Sequence, residues 1–230
     1  MVKMIGIICA MDIELEKIKE KMVKIKEESI STITYLIGKI ENKDCVAAVS
    51  GIGKVNSAVC AQTMILKYKP KFIINTGVAG GLLEKMNIGD MAISCSAVQH
   101  DVDTSILGDP KGFISTINMV RLPCSKRLIN VLLENNKQDK IFSGVIASGD
   151  QFIASKEKLM YIKNEFDAVA CDMESASIAQ VCYLNSVEFL SIRSISDNIY
   201  KHNSNLDYEK FKLQSANTAS RIVCSLISSL

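Results

Sequence analysis

Short apolar runs rich in β-branched residues alternate along the chain with segments in which apolar residues recur at helical spacing. Several of the runs are almost wholly apolar, as is typical of strands buried inside a parallel sheet. The pattern predicts strands at residues 4–9, 30–37, 45–50, 72–76, 91–96, 141–148, 169–171 and 188–192.

The helical segments fall between these strands. In the first of them Leu15, Ile18 and Met22 lie on one face. Helices are predicted at residues 12–22, 56–67, 125–135, 156–164, 174–184 and 206–230. The alternation predicts an α/β fold with a central, mostly parallel or mixed sheet between helices, a three-layer α/β/α sandwich. No repeat, low-complexity stretch or linker interrupts it, so we expect one domain over residues 1–230.

Charged groups follow several predicted strands, at the sheet edge where ligands bind in folds of this kind. The last strand runs into "SIRSISD", which carries Arg193 and Asp197, and Glu14 and Glu174 follow two other strands. Each has a structural explanation when taken alone. Glu14 and Glu174 each open a helix, where the helix dipole favours a carboxylate, and Asp197 can pair with Arg193. Three carboxylates at one sheet edge nevertheless favour an active site.

Two glycine-rich segments, "GIGKV" and "GVAGG", also follow predicted strands. Neither has the spacing of a phosphate-binding loop or of a dinucleotide-binding loop. Close packing of backbone at strand–helix turns explains them, and so does close approach of a small ligand to backbone N–H groups.

Composition excludes several classes of protein. A net charge of +2 without a basic run argues against nucleic-acid binding. The short apolar run at the N-terminus turns acidic, unlike a signal peptide or a membrane span. Eight cysteines without CxxC spacing are typical of buried free thiols in a reducing compartment, and two histidines exclude a histidine-rich metal site. We therefore expect a cytoplasmic protein without metal, cofactor, nucleic acid or membrane.

Six segments together carry a resemblance to a known family: "IGIICAMDIELE", "SGIGKVNSA", "IINTGVAGGL", "VIASGDQFI", "CDMESASIA" and "IRSISD". Their order and spacing resemble those of the bacterial 5′-methylthioadenosine/S-adenosylhomocysteine nucleosidases, in the purine nucleoside phosphorylase–hydrolase superfamily. The set is specific, although no single segment is. The resemblance implies a nucleoside phosphorylase-like fold and a homodimer. It also implies hydrolysis of the N-glycosidic bond of methylthioadenosine, S-adenosylhomocysteine and 5′-deoxyadenosine, in methionine salvage and in recycling of S-adenosylmethionine by-products.

The resemblance further implies roles for the polar residues. Asp197 matches the acid that protonates the leaving adenine at N7, and Ser196 lies beside it. Glu174 matches the group that binds the ribose hydroxyls and faces the oxocarbenium-like charge. Glu14 matches the base that deprotonates the attacking water, and Arg193 matches the residue that helps to place that water.

Further residues match positions that contact the substrate. Without the resemblance, core packing would explain Ile52, Phe152 and Met173. Tyr208 matches an aromatic residue on a mobile lid, within "NIYKHNSNLDY". The remaining matches are Met11 and Ile52 near the 5′ side, Val78, Ala79 and Gly80, the walls Phe152 and Met173, and Ile153 as a backbone contact to adenine.

The chain departs from the family at two places. Val78 stands where many relatives carry a serine. The segment "DTSILGDPKGF" lacks the aromatic residues that relatives supply to the partner's 5′ pocket, and Leu107 is the closest replacement. The preference among substrates with different 5′ groups, futalosine-type nucleosides included, therefore stays open.

Three rival functions remain to be weighed. A phosphorylase needs cationic groups for phosphate, and "MDIELE" and Asn75-Thr76 occupy the places where phosphorylases of the superfamily supply arginines. An AMP-type nucleosidase would differ only at the 5′ end. A non-catalytic nucleoside-binding protein would lose the acid or the base, whereas Glu14, Glu174 and Asp197 are all present.

Overall fold

Ten strands form one mixed sheet in the computed structural model, which describes residues 4–198, residue 200 and residues 204–230, with the backbone alone at 204–207. The strands are β1 (Ile5–Cys9), β2 (Val23–Ile30), β3 (Ile33–Ile40), β4 (Lys43–Val49), β5 (Phe72–Gly81), β6 (Met91–Gln99), β7 (Leu122–Pro123), β8 (Ile141–Ser148), β9 (Ala168–Asp172) and β10 (Glu188–Asn198). The helices are α1 (Asp12–Lys21), α2 (Lys54–Tyr68), α3 (Lys126–Asn135), α4 (Lys156–Phe166), α5 (Ser175–Leu184) and α6 (Ser204–Ser228).

The sheet consists of a closed part and an open arm that meet at β5. Strand β5 pairs in parallel with β1 and β10 and antiparallel with β9. Strand β10 continues to β6, then β8, and β8 pairs with β9, which closes the circuit. The arm runs outward from β1 through β4 and β3 to β2. Strand β5 therefore lies at the junction, with its carboxyl end between β9 and β10.

Helices cover both faces of this sheet. Apolar residues of α1, α3 and α6, such as Leu15, Leu128 and Ile222, form one core with inward-facing residues of β1 and β5. Residues of α2 and α5, such as Met64 and Ile178, form a second core on the opposite face. Successive residues of β5 point to opposite cores, as strand geometry requires. The predicted α/β/α layering is confirmed.

Most predicted elements are present, with three differences. Strand β2 was not predicted, because its apolar residues Val23 and Ile25 are exposed between lysines on an edge strand. The two-residue strand β7 was also missed. Strands β5 and β10 continue five and six residues beyond their predicted ends, so "GVAGG" and "RSISD" belong to strands and do not follow them. Their pairing with each other outweighs the turn preference of glycine.

Two sequence expectations meet the structure only in part. Most cysteines are buried free thiols as predicted, but Cys95 is exposed. The predicted lid covers residues 198–208 and lies partly outside the described residues. No helix in the part of the chain that the structure describes is long and apolar enough to cross a bilayer.

Candidate active site

A cavity of about 220 Å³ lies where the carboxyl ends of β1, β5, β9 and β10 meet. All the predicted site residues except Arg193 line it. A larger, open groove of about 850 Å³ lies between α1 and β3, but none of these residues lines it. The smaller cavity is therefore the candidate site. Its lining residues are Ala10, Met11, Glu14, Ile52, Val78, Ala79, Gly80, Gln151, Phe152, Ile153, Cys171, Asp172, Met173, Glu174, Ser196, Asp197 and Tyr208.

Glu14 is a buried carboxylate at the inner wall, with 2% of its surface exposed. It lies in the first turn of α1, and one oxygen accepts hydrogen bonds from the N–H groups of Ala10 (2.9 Å) and Met11 (3.0 Å). The other oxygen accepts from Val78 N at 3.0 Å. Burial raises the pKa of Glu14, and Arg193 and the backbone donors offset part of that rise. A fixed carboxylate with a raised pKa suits a general base.

Gly77 makes room for this carboxylate. A Cβ at residue 77 would overlap Oε1 of Glu14 and would lie 2.8 Å from Nη1 of Arg193. The first glycine of "GVAGG" is therefore required by the close approach of a charged side chain. Neither backbone packing at a strand–helix turn nor contact with a ligand is the reason at this position.

Arg193 lies behind the cavity wall with 1% of its surface exposed. Its Nη2 is 2.7 Å from Asp172 and 3.5 Å from Glu174, and it also donates to Oδ1 of Asn75. Its Nη1 donates to the carbonyl of Val78 at 3.4 Å. The guanidinium therefore fixes the wall carboxylates, since a buried cation needs such partners. Its predicted contact with the attacking water stays a prediction.

Glu174 follows β9 and occupies the N-cap position of α5, but its side chain accepts no hydrogen bond from that helix. One carboxylate oxygen accepts from Gly53 N at 3.0 Å, and the other faces Arg193. Burial raises the pKa of Glu174 to about 7; Arg193 lowers it, and neighbouring Asp172 adds to the rise. The group therefore changes charge near neutral pH.

Asp197 reaches the cavity through an irregularity in β10. The pairing of β10 with β5 shifts by one residue between Ile195 and Asp197, so Ser196 is an extra residue. In a regular strand the side chains of Ser196 and Asp197 would point to opposite faces of the sheet. Here both line the cavity. Ser196 Oγ donates to Oδ1 of Asp197 at 2.9 Å, as its position beside the carboxylate predicted.

Apolar side chains form the outer wall. The rings of Phe152 and Tyr208 meet edge to face with centroids 5.4 Å apart, and the Tyr208 hydroxyl contacts Met11 Sδ at 3.5 Å. Phe152 and Ile52 are each about half exposed, so they flank the opening. An apolar wall of this kind suits a planar base and an apolar substituent.

Sequence reasoning missed four lining residues, and Asp172 matters most among them. Its carboxylate pairs with Arg193 and accepts from the hydroxyls of Ser148 and Ser175. The signal was present in "CDMES", where Asp172 ends β9 just before Glu174. The other three are Ala10, Gln151 and Cys171. Leu107, predicted for the partner's 5′ pocket, is largely exposed and does not line the cavity of its own chain, so its role stays a prediction.

Carboxylates outnumber cations around the cavity. Glu14, Asp172, Glu174 and Asp197 all line it, whereas Arg193 lies behind it. No Lys, Arg or His occurs among the described residues that line it. An excess of buried negative charge favours a ligand or transition state that carries positive charge. No group of three or more His, Cys, Asp or Glu residues suited to a metal ion occurs in the described ranges.

Comparison with known proteins decides the family. A family profile described as the Phosphorylase superfamily matches residues 4–228. The chain belongs to this superfamily. The matched range contains every strand and helix named above. The predicted nucleoside phosphorylase-like fold is thereby confirmed.

Relatives within the superfamily are nucleosidases. The chain is 38% identical over 226 residues to a 5′-methylthioadenosine/S-adenosylhomocysteine nucleosidase of Staphylococcus haemolyticus, covering 97% of this chain and 99% of that one. A Helicobacter pylori enzyme of the same name, in complex with an aminopyrrolopyrimidine–pyrrolidinol carrying a thioether, superposes with a TM-score of 0.94 at 34% identity, over 100% and 99% of the two chains. Membership in the predicted nucleosidase family is confirmed.

A second similar structure is described as the hydrolase of a different nucleoside. A Helicobacter pylori structure described as futalosine hydrolase superposes with a TM-score of 0.95 at 35% identity, over 100% of this chain and 99% of that one. The two similarities are nearly equal, so overall similarity favours neither 5′ substituent over the other.

Proposed function

We propose that this protein hydrolyses the N-glycosidic bond of 5′-methylthioadenosine and S-adenosylhomocysteine, and of 5′-deoxyadenosine, to release adenine and the 5′-substituted ribose. The observation that carries the proposal is the charge of the cavity: four carboxylates line it, and no cationic side chain among the described residues does. A phosphorylase must hold phosphate, which needs cationic groups or a cluster of N–H donors. The N–H groups nearest Glu14 are already bonded to its carboxylate.

Asp197 is the proposed acid. Adenine leaves poorly as an anion, so the base must be protonated, at N7 in this proposal, as the bond to ribose breaks. Asp197 is buried at the cavity edge and receives a hydrogen bond from Ser196, which fixes the orientation of its carboxyl group. Phe152, Ile153 and Met173 are the proposed contacts of the base and ribose.

Glu174 and Glu14 are proposed to act on the sugar and the water. The ribose carries oxocarbenium-like positive charge in the transition state, and an ionised Glu174 both accepts from its hydroxyls and stabilises that charge. Glu14 accepts the proton of the attacking water, and its three backbone donors keep it in place. Arg193 orients the carboxylates from behind the wall.

Relatives support the thioether substrates. The ligand of the Helicobacter pylori complex joins an aminopyrrolopyrimidine to a pyrrolidine ring that bears a thioether. A pyrrolidine nitrogen is protonated near neutral pH and resembles the charged sugar, which fits the negative cavity of this chain. Methionine salvage and recycling of S-adenosylmethionine by-products are the processes in which this reaction would serve.

Three further expectations belong to the proposal. We propose a single domain over residues 1–230, a cytoplasmic location and a homodimer. The exposed apolar residues Ile106 and Leu107 support the dimer, because they lie in the segment expected to reach the partner's 5′ pocket.

The test is to incubate the purified protein with methylthioadenosine in phosphate-free buffer and to measure adenine release, with Asp197→Asn in parallel. We expect release without phosphate and a loss of at least a hundredfold in the variant, because general acid catalysis contributes about 10²–10⁴-fold. S-Adenosylhomocysteine, 5′-deoxyadenosine and futalosine follow as substrates at equal concentration.

The outcomes separate the rival functions. Release that requires phosphate would identify a phosphorylase and would contradict the role of Glu14. Release from futalosine alone would assign the other 5′ specificity. Binding of the nucleosides without release would identify a binding protein.

A further inference from the structure

Helix α2 begins without a capping side chain of its own. Its N-cap is Gly53, with φ of 99°, and no side chain of the cap accepts a hydrogen bond from the first turn. Carboxylates from distant parts of the chain take this role. Glu174 accepts from Gly53 N at 3.0 Å, and Asp150 accepts from Lys54 N at 2.7 Å. The start of α2 is therefore capped by two groups that belong to other loops.

A ring of three residues closes around this cap. Asp150 receives the Lys54 N–H and donates its own N–H to Oδ2 of Asp101 at 2.9 Å. Oδ1 of Asp101 is 2.6 Å from Nζ of Lys54, and this ion pair closes the ring. Nζ of Lys54 also donates to Gln99 at 2.9 Å. We call Lys54, Asp101 and Asp150 the mouth ring.

The mouth ring joins two partly shielded charged side chains through solvent-exposed hydrogen bonds, because Asp101 and Asp150 are exposed residues. The side chains of Lys54 and Asp101 are 17% and 21% exposed, unlike most ion pairs of this protein. Burial raises the pKa of Asp101, but the hydrogen bonds from Lys54 and Asp150 outweigh it and bring the pKa below its usual value. The lowered pKa favours the ionised form of Asp101, which keeps its charge pairing with Lys54.

The ring joins three segments beside the cavity. Lys54 follows the wall residue Ile52 by two positions, and Asp150 precedes Phe152 by two. Asp101 begins the segment that leads to Leu107. Gly53 allows the approach, because a Cβ there would lie only 3.0 Å from Oδ1 of Asp150. A movement of the ring would therefore move the Gly53 N–H away from Glu174.

We propose that the mouth ring is a positioning device that holds the Gly53 N–H against the Glu174 carboxylate and so sets how tightly the ribose is bound. The inference rests on the proposed function, in which Glu174 binds the ribose hydroxyls. The charged groups that face Glu174 are Arg193, Asp172 and Glu14. Gly53 adds a neutral donor that favours the ionised form of Glu174 without competing for Arg193.

The experiment compares Lys54→Met, Asp101→Asn, the double variant and Lys54→Arg. Methionine keeps the backbone N–H and the length of the side chain but removes the ammonium. Lys39→Met is the matched control, because Lys39 makes a 2.6 Å pair with Asp44 between β3 and β4, away from the cavity. The readouts are KM, kcat, the pH dependence of kcat/KM, and amide hydrogen exchange at Gly53.

We expect Lys54→Met and Asp101→Asn each to raise KM about tenfold, with kcat changed by less than about threefold, since the contact acts on the bound ribose in the ground state and transition state alike. The acid limb of kcat/KM should move up by about one pH unit, because an ionised Glu174 loses a donor. The KM of the double variant should be no higher than that of the poorer single variant, because both changes break the same ion pair. Lys54→Arg keeps the positive charge, so its KM should stay close to that of the wild type.

Exchange at Gly53 separates failure of the inference from failure of the proposed function. Faster exchange in Lys54→Met than in Lys39→Met supports the ring even if no nucleoside is turned over. Unchanged exchange at Gly53 overturns the inference whatever the activity. An active wild type with unchanged KM and acid limb in both variants also overturns it, whereas a lower melting temperature alone would show a merely structural pair.

Discussion

Replacing Gly77 by alanine should disable the enzyme while leaving it folded. The added Cβ would overlap Oε1 of Glu14 and would lie 2.6 Å from its carboxylate carbon, where ordinary contacts begin at 3.4 Å. Because Oε1 is closer still to the new Cβ, the carboxylate has to move by about 1 Å, or the backbone of β5 has to move instead. Arg193 blocks one escape, because its Nη1 would be 2.8 Å from the same Cβ.

The expected magnitude follows from what that movement breaks. Glu14 is held by three backbone N–H groups at 2.9 to 3.0 Å, and a shift of this size lengthens at least one of these bonds. Misplacement of a catalytic group by about 1 Å costs on the order of 10²-fold in rate. Overpacking of a buried site costs about 1–3 kcal/mol of unfolding free energy, which lowers Tm by about 2–10 °C for a chain of this size.

The assay is adenine release from methylthioadenosine, together with thermal unfolding. Gly89→Ala is the control: Gly77 and Gly89 both have a positive φ, of 157° and 87°, but nothing lies within 4 Å of the Cβ that alanine would add at Gly89. We expect kcat/KM to fall about a hundredfold in Gly77→Ala and to stay within about threefold of wild type in Gly89→Ala, although strain lowers the stability of both. Equal activity in the two variants would refute the reasoning that Glu14 must lie where it does.

Two further predictions concern the buried charges. Arg193→Met should lower the unfolding free energy by about 3–5 kcal/mol, measured by urea denaturation, because Asp172 and Glu174 lose their buried cation; a loss below about 1 kcal/mol would contradict the proposed charge balance. Stability and activity should depend on pH in opposite directions. Glu174 has its pKa raised by burial, so its neutral form is favoured in the folded protein, and stability should fall as pH rises towards about 7 while kcat/KM rises. Glu174→Gln should flatten this slope of unfolding free energy, and an unchanged slope would assign it to other groups.

The sequence predicted the layers and the position of the site because these depend on local signals. Alternating apolar runs and helical spacing indicated most of the strands and all six helices, and their carboxyl ends pointed to the cavity. The edge strand β2 escaped because its lysines and exposed Val23 and Ile25 give no burial pattern. The carboxyl-terminal parts of β5 and β10 were not predicted as strand, because their glycines and serines are held in extended conformation by the pairing of β5 with β10.

Within the site, the sequence predicted which residues carry the charged groups, but it did not predict how those groups are arranged in space. Glu14, Glu174 and Asp197 were recognisable from their places in motifs. The position of Arg193 behind the wall, and the partnership of Asp172 with it, depend on which face of a bulged or terminal strand a side chain takes. A register shift of one residue moves a side chain to the other face of the sheet. No local sequence pattern indicates the register shift in β10.

The closed circuit of β5, β10, β6, β8 and β9 also has a consequence for how the protein is made. The cavity draws on Glu14 near the start of the chain and on Asp197 and Tyr208 near its end. These contacts of high sequence separation form late and slowly during folding. A growing chain must therefore be synthesised at least as far as Tyr208 before the complete cavity can bind a ligand, and nucleoside affinity reports the assembly of these distant segments rather than the state of one loop.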